Sequence, residues 1–235
     1  MLKKNKNYAF GWNSSTWYYP FSKAIHKINI HNPIKKKKIL ELGCSQYSTV
    51  ALMFDEFDNQ IELSSYDNFS FLELGKKMEL LKNKNLFSDN ISLSKKNALS
   101  FDEKYDLIIL KSVLGGVYRE GSSSLEDVTD LLKKLRLENL NDGGFIITCD
   151  NGLSFFDKFI QNYGARKNKW MFFKPGDISF EENQFYFGFF SFFSFKIRLG
   201  FIGMLIEEFI LFPVDYFISF ITSKYPTVIV TILKK

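Results

Sequence analysis

Cysteine and histidine are nearly missing from this chain, and arginine is scarce. The two cysteines, Cys44 and Cys149, form no C-x-x-C pair and fit a reducing compartment. Both are expected at the ends of buried strands, where a thiol packs as a small apolar group. His26 and His31 stand five residues apart, off a shared helical face and without a carboxylate pair, so no metal site is expected. Arg119, Arg136, Arg166 and Arg198 are the whole arginine complement, against 27 lysines. A nucleic-acid reader usually relies on arginine forks for phosphates and bases, so no nucleic-acid partner is expected. The net charge of +5 then reads first as solubility and second as a weak attraction to anionic membrane. No uncharged apolar run reaches the roughly 18 residues of a membrane span. The polar start, Met1 to Asn7, leads into no apolar run of the signal-peptide kind. A cytoplasmic location is the expectation, with peripheral contact at the inner membrane face as an option.

What is present is a chain able to bury one sizeable core, 46% hydrophobic and rich in phenylalanine. Twelve of its 27 Phe fall between Phe185 and Phe220. Residues 1–34 read as an aromatic-rich arm, with a short helix over 22–28 because Phe21, Ala24, Ile25 and Ile28 share a face. Residues 35–235 read as one domain, in which 164–224 is a Phe-rich substrate or interface region. A regular alternation begins at Lys38. Strands are expected over 39–42, 61–66, 91–93, 105–110 and 145–149. Between them lie helices on the 3.6 period: Val50, Met53, Phe54, Phe57; Phe71, Leu74, Met78, Leu81; Leu125, Val128, Leu131, Leu132, Leu135. Ser45 or Ser48 is expected to cap the first of these, a Ser70–Glu73 capping box the second, and Ser124 to start the third. Asn141-Asp142-Gly143-Gly144 reads as a turn, and Phe155, Phe156, Phe159 and Ile160 mark a further helix. Residues 185–195 alternate as in a strand. Residues 197–222 form an apolar helical stretch broken at Pro213, and 227–233 is a last strand. Strands separated by helices imply parallel pairing through right-handed crossovers, hence an α/β fold.

In an open parallel sheet, ligands bind beyond the carboxyl ends of the strands. Those ends here carry Glu41 and Gly43, Asp67 and Asn68, Lys111 and Ser112, and Asp150 and Asn151. Gly43 would let the backbone approach a ligand, Asp67 is placed to accept hydrogen bonds from a ribose, and Asn97-Ala98 could lie by an adenine amine. Five ordered pieces, 39–45 (Ile-Leu-Glu-Leu-Gly-Cys-Ser), 64–67, 96–101, 104–109 and 140–148, together resemble the class I S-adenosylmethionine-dependent methyltransferases. The run 225–235 resembles that family's last, antiparallel strand. The stretch 111–116 also resembles a variant in bacterial methyltransferases of surface-polysaccharide synthesis. The resemblance implies a Rossmann-like sheet, mostly parallel, with helices on both faces, and S-adenosylmethionine as cofactor. It implies Glu41, Gly43 and Ser45 on the methionine side, Asp67 as the ribose acid, Asn97 and Ala98 by the adenine, and Lys111 near the methyl donor, with Cys44, Asn68 and Ser112 as further cofactor-binding candidates. Ser45 and Tyr47 replace the family's second and third glycines, and Asn97 a common aspartate.

Methyl transfer to a sugar oxygen benefits from a general base, and Asp150 is the first candidate, ahead of Tyr18 and Glu120. The Phe-rich region has three readings: core and homodimer burial, an apolar wall for a lipid-linked acceptor, and a monotopic membrane patch over 185–222. Glu207, Glu208 and Asp215 count against full insertion. The expected activity is O-methylation of a glycan or lipid-linked small molecule. The alternatives are a noncatalytic module of the same fold that binds a membrane surface or protein partner, and a nicotinamide-dependent dehydrogenase, disfavoured because Gly-x-Gly-x-x-Gly is missing.

Overall fold

A computed structural model of the chain describes residues 10, 14–31, 33–45, 49–116, 124–153, 170–178, 183–190, 195–221 and 224–235. A seven-stranded sheet runs through it in the order β3-β2-β1-β4-β5-β7-β6. Its strands are β1 (Lys38–Leu42), β2 (Gln60–Ser64), β3 (Ile91–Ser94), β4 (Tyr105–Lys111), β5 (Leu140–Asn151), β6 (Gln184–Phe187) and β7 (Val228–Lys234). The first five pair in parallel, while β7 runs antiparallel to both β5 and β6. This is the expected α/β architecture, including the antiparallel last strand.

The continuous apolar run of β4 is explained by burial on both sides. Leu107 and Ile109 enter one core, Ile108 and Leu110 the other, because successive side chains leave opposite faces of a strand. On the first face lie helix α1 (Ser14–His31), a 3₁₀ helix (Val50–Phe57) and helix α2 (Asn68–Asn83). Helix α3 (Leu125–Glu138) covers the second face with Val128, Leu131, Leu132 and Leu135.

Several local expectations are corrected. Helix α1 extends a further two turns toward the N-terminus, because Trp17 continues the buried stripe of Phe21, Ala24, Ile25 and Ile28 and Pro20 is accommodated inside the helix. It packs against β6 and β7. Asp67, not Ser70, caps α2: its two carboxylate oxygens accept the N–H groups of Phe69 and Ser70, each at 3.0 Å. The 141–144 run is no turn between elements but the start of β5, where the β4–β5 register shifts and Gly143 takes φ +73°. The bulge uses the turn-forming residues to bend a strand. The helix expected around 155–160 lies outside the described residues.

The 197–222 stretch comprises helix α4 (Phe195–Ile206), a π-helical segment (Glu207–Leu211) and helix α5 (Phe212–Ile221). The π turn ends two residues before Pro213, the residue that cannot donate into a regular ladder. Among the described residues no helix is long and apolar enough to cross a membrane.

Ser124 and Asp127 form a reciprocal capping box, with Asp127 N–H to Ser124 Oγ at 3.0 Å and Ser124 N–H to the Asp127 carboxylate at 2.9 Å. Ser124→Ala is expected to lower stability by about 1 kcal/mol, read from the urea midpoint at unchanged m-value.

Candidate functional site

The site begins with an acid at the end of a buried strand. Glu41 is 1% exposed and belongs to the face of β1 that meets the first core. Its carboxylate accepts the Ala51 N–H at 2.7 Å, at the opening of the 3₁₀ helix. Thr49 is the N-cap there and makes no side-chain cap bond, so Ser45 does not have the capping role expected of it, while Ser48 lies outside the described residues. Burial pushes the Glu41 carboxyl up to about 7, against the downward pull of the Ala51 and Val50 N–H groups and of the Lys111 and Lys77 ammoniums. Lys77 is itself lowered to about 8 by burial, and its Nζ donates to Thr49 Oγ1 at 2.8 Å. Glu41 thus spends one carboxylate oxygen on the protein's own backbone beneath the β1 turn.

Next along the chain, Gly43 takes φ +72°, and a Cβ there would lie 2.4 Å from Val113 Cγ2. The glycine is required by the left-handed turn and by the close approach of the protein's own Val113. Cys44 is buried; its N–H donates to Ser64 O at 2.9 Å and its Sγ to Glu41 O at 3.3 Å. Ser45 follows at the edge of the described loop, and Tyr47 lies outside it.

The neighbouring strand ends in the same way. After Lys111, Ser112 adopts the left-handed region at φ +53°, with its N–H donating to Cys149 O at 2.8 Å. The Lys111 ammonium sits 4.2 Å from the Trp17 ring centre, so helix α1 contributes to the site. Burial lowers the Lys111 pKa, opposed by Cys149, Glu41 and Asp150. Lys111 is in register with Cys149 and so shares its face of the sheet. Asp150, one residue on, faces the other side with Thr148 and Ile146. It is 1% exposed, and among the described residues neither of its oxygens has a partner in hydrogen-bond geometry. Burial raises its pKa to about 7; the Thr148 hydroxyl, the Leu114 N–H and Lys111 partly offset that rise.

At the β2 end, Asp67 is exposed and caps α2, with Asn68 beside it accepting from Lys95. Beyond β3, Asn97 folds its own loop by accepting the Leu99 N–H at 3.0 Å, and Ala98 packs against the second core. All ten cofactor candidates thus lie along the carboxyl edge of β1, β2, β3 and β4, yet several spend their polar groups inside the protein. Tyr18 is half-buried beside the first core, Glu120 lies outside the described residues, and among the described residues no group of acids, cysteines or histidines could hold a metal.

Three contributors are absent from the sequence reading. Lys77 occupies the buried stripe Leu74, Met78, Leu81 at helical spacing, and a lysine in such a stripe is the signal that could have found it. Trp17 could have been found by extending the α1 stripe backward. Trp170 had no local signal. A Cβ on Gly115 would lie 2.1 Å from its indole nitrogen and one on Gly116 2.3 Å from its ring, so the glycine pair after β4 receives this tryptophan. Met171 N–H to Gly115 O and Phe173 N–H to Asn151 O draw its segment across the ends of β4 and β5.

No protein-family model matches the sequence, and no curated protein matches it. Solved structures do. Magnesium protoporphyrin IX methyltransferase (ChlM) from Synechocystis PCC 6803, with bound SAH, is 12% identical at a TM-score of 0.50 over 69% of this chain and 68% of its own. PKMT2 from Rickettsia typhi in complex with AdoHcy is 16% identical, TM-score 0.43, over 66% of this chain and 32% of its own. TehB from Haemophilus influenzae is 20% identical, TM-score 0.40, over 57% and 41%. The chain spans less than half the length of the first structures it matches. At these identities the likeness establishes the fold, and the fold is the Rossmann-like methyltransferase sheet.

The raised carboxyls of Glu41 and Asp150 tie stability to pH. A carboxyl that ionises near 7 when folded and near its ordinary value when unfolded favours the fold while protonated. Its contribution is complete below about pH 4 and is lost as pH rises through 7, roughly 3 kcal/mol for each group. The urea midpoint is expected to fall between pH 5 and pH 7.5. Glu41→Gln, which keeps an oxygen for the Ala51 N–H, should remove about half of that fall. Identical pH slopes in wild type and variant would refute the assignment of Glu41.

Proposed function

We propose that this chain is an S-adenosylmethionine-dependent methyltransferase acting on oxygen, with a glycan or lipid-linked small molecule as acceptor. The observation that carries this reading is the sheet order, with its antiparallel β7, together with the alignment of the candidate residues along its carboxyl edge. The residues fit the cofactor at the level of chemistry. Asp67, with Asn68 beside it, offers an exposed acceptor at the β2 tip for ribose hydroxyls, and Asn97 and Ala98 would border the adenine side. Left-handed backbone at Gly43 and Ser112 ends the two central strands at this edge. When bound, the cofactor supplies an electrophilic methyl carbon on a sulfonium.

The chain's own part is alignment, exclusion of water and handling of one proton. In this reading Asp150 would take the proton of the acceptor hydroxyl that receives the methyl group the bound cofactor would supply. A carboxyl held near 7 is suited to take a proton at neutral pH. Lys111, held over Trp17, keeps a positive charge near that carboxylate. The location in this reading is the cytoplasm. The second reading, a noncatalytic module of the same fold, is favoured by one observation: Glu41, Asp67 and Asn97 all accept backbone N–H groups of their own chain.

Calorimetry with S-adenosylhomocysteine separates the two. The enzyme reading expects binding at high micromolar ligand or below, and a folded protein that gives no heat sinks it. Gly43→Val is expected to abolish binding, since the side chain meets both a left-handed backbone and Val113. Cys44→Ala should largely spare it. Equal losses would mean that the turn is not the cofactor turn.

A further inference from the structure

The outer surface of the α4–α5 stretch is inside out. Every exposed residue from 201 to 221 is large and apolar: Phe201, Ile202, Leu205, Phe209, Ile210, Val214, Phe217, Phe220 and Ile221. The acids in the same stretch turn toward the protein. Glu207 is 7% and Asp215 0% exposed, Asp215 accepts the Phe190 N–H at 2.7 Å, and Glu208 accepts the Ser15 hydroxyl. Phe212 and Tyr216 pin the inner side to Tyr19 of α1. The charges that on sequence count against insertion are thus spent in docking the helices.

The nine side chains together expose on the order of 1,000 Å², against roughly 300–600 Å² for the largest apolar patch of a typical soluble monomer. Cations flank the patch. Lys23 is exposed, with its ammonium 4.4 Å from the centre of the same Tyr19 ring, and exposed Lys224 follows α5. None of the exposed residues from 201 to 221 is acidic. A second copy of the chain would bring these cations against themselves, whereas anionic headgroups complement them.

We infer that this face is a monotopic membrane surface, with the nine apolar side chains seated about 5–10 Å into the headgroup boundary of an anionic bilayer and the lysines at the phosphates. The inference is independent of methyl transfer, and its test needs no cofactor. Flotation of the full chain uses vesicles of phosphatidylcholine alone and of phosphatidylcholine with phosphatidylglycerol. Co-flotation several-fold higher with phosphatidylglycerol is the expected result. The pair Phe209→Ser and Phe217→Ser should lower it at least about 10-fold, with an unchanged far-UV circular dichroism spectrum. Because a phenylalanine variant could fail to fold, Lys23→Glu with Lys224→Glu gives a second reading: it should remove only the phosphatidylglycerol-dependent gain. Wild-type protein that stays in the soluble fractions with both vesicles overturns the inference. If sedimentation velocity then shows a dimer that the phenylalanine pair dissolves, the occupant is a second copy.

Discussion

One carboxylate holds the centre of this molecule together. Glu41 ends the middle strand of the parallel half of the sheet and must be buried there, because the 3₁₀ helix folds back over it. Its hydrogen bond from Ala51 satisfies a donor that the 3₁₀ helix, lacking a side-chain cap at Thr49, would otherwise leave open. Lys77 of α2 and Lys111 of β4 supply the positive charge that a buried acid requires, and both are depressed by the same burial. β1, the 3₁₀ helix, α2 and β4 are thereby coupled through a single side chain. The turn at Gly43, which leaves β1 two residues later, takes its position from that arrangement.

The same geometry separates two groups that share a strand edge. Pleating sends Lys111 and Cys149 to the α1 side and Asp150 to the α3 side. A residue list along the carboxyl ends therefore merges two half-sites. One is a buried acid–lysine cluster beneath the Gly43 turn. The other is an aspartate beside Leu114 and Thr148, at the strand ends crossed by the Trp170 segment. Among the described residues, the buried carboxylate without a partner in hydrogen-bond geometry lies in the second.

The strands were legible because burial on both faces writes continuous apolar runs such as 107–110, and Ser124 with Asp127 writes its cap in four residues. Features set by contacts distant in sequence were not legible. Pro20 interrupts a helical pattern locally, but the stripe from Trp17 to Ile28 is worth more when it meets β6 and β7. Asn141 to Gly144 has turn composition, and only pairing with β4 converts it to a bulge. A glycine after a strand is legible at Gly43, but its crowding comes from Val113, seventy residues away. At the site, residue identity located the edge of the sheet, while the direction of each polar group depended on the partner it met.

The α4–α5 stretch shows the limit of counting charges. Three acids in 21 residues read as a polar interruption of an apolar segment, and the period alone cannot say which side faces the protein. Here the underlying surface decides it. The Phe190 N–H and the Ser15 hydroxyl are donors that need acceptors, and Asp215 and Glu208 provide them. Once the carboxylates are drawn inward, the period of the helix forces Phe209, Phe217 and their neighbours outward. An apolar exterior is then the consequence of satisfying polar groups at the interior, and it is maintained for as long as those hydrogen bonds are.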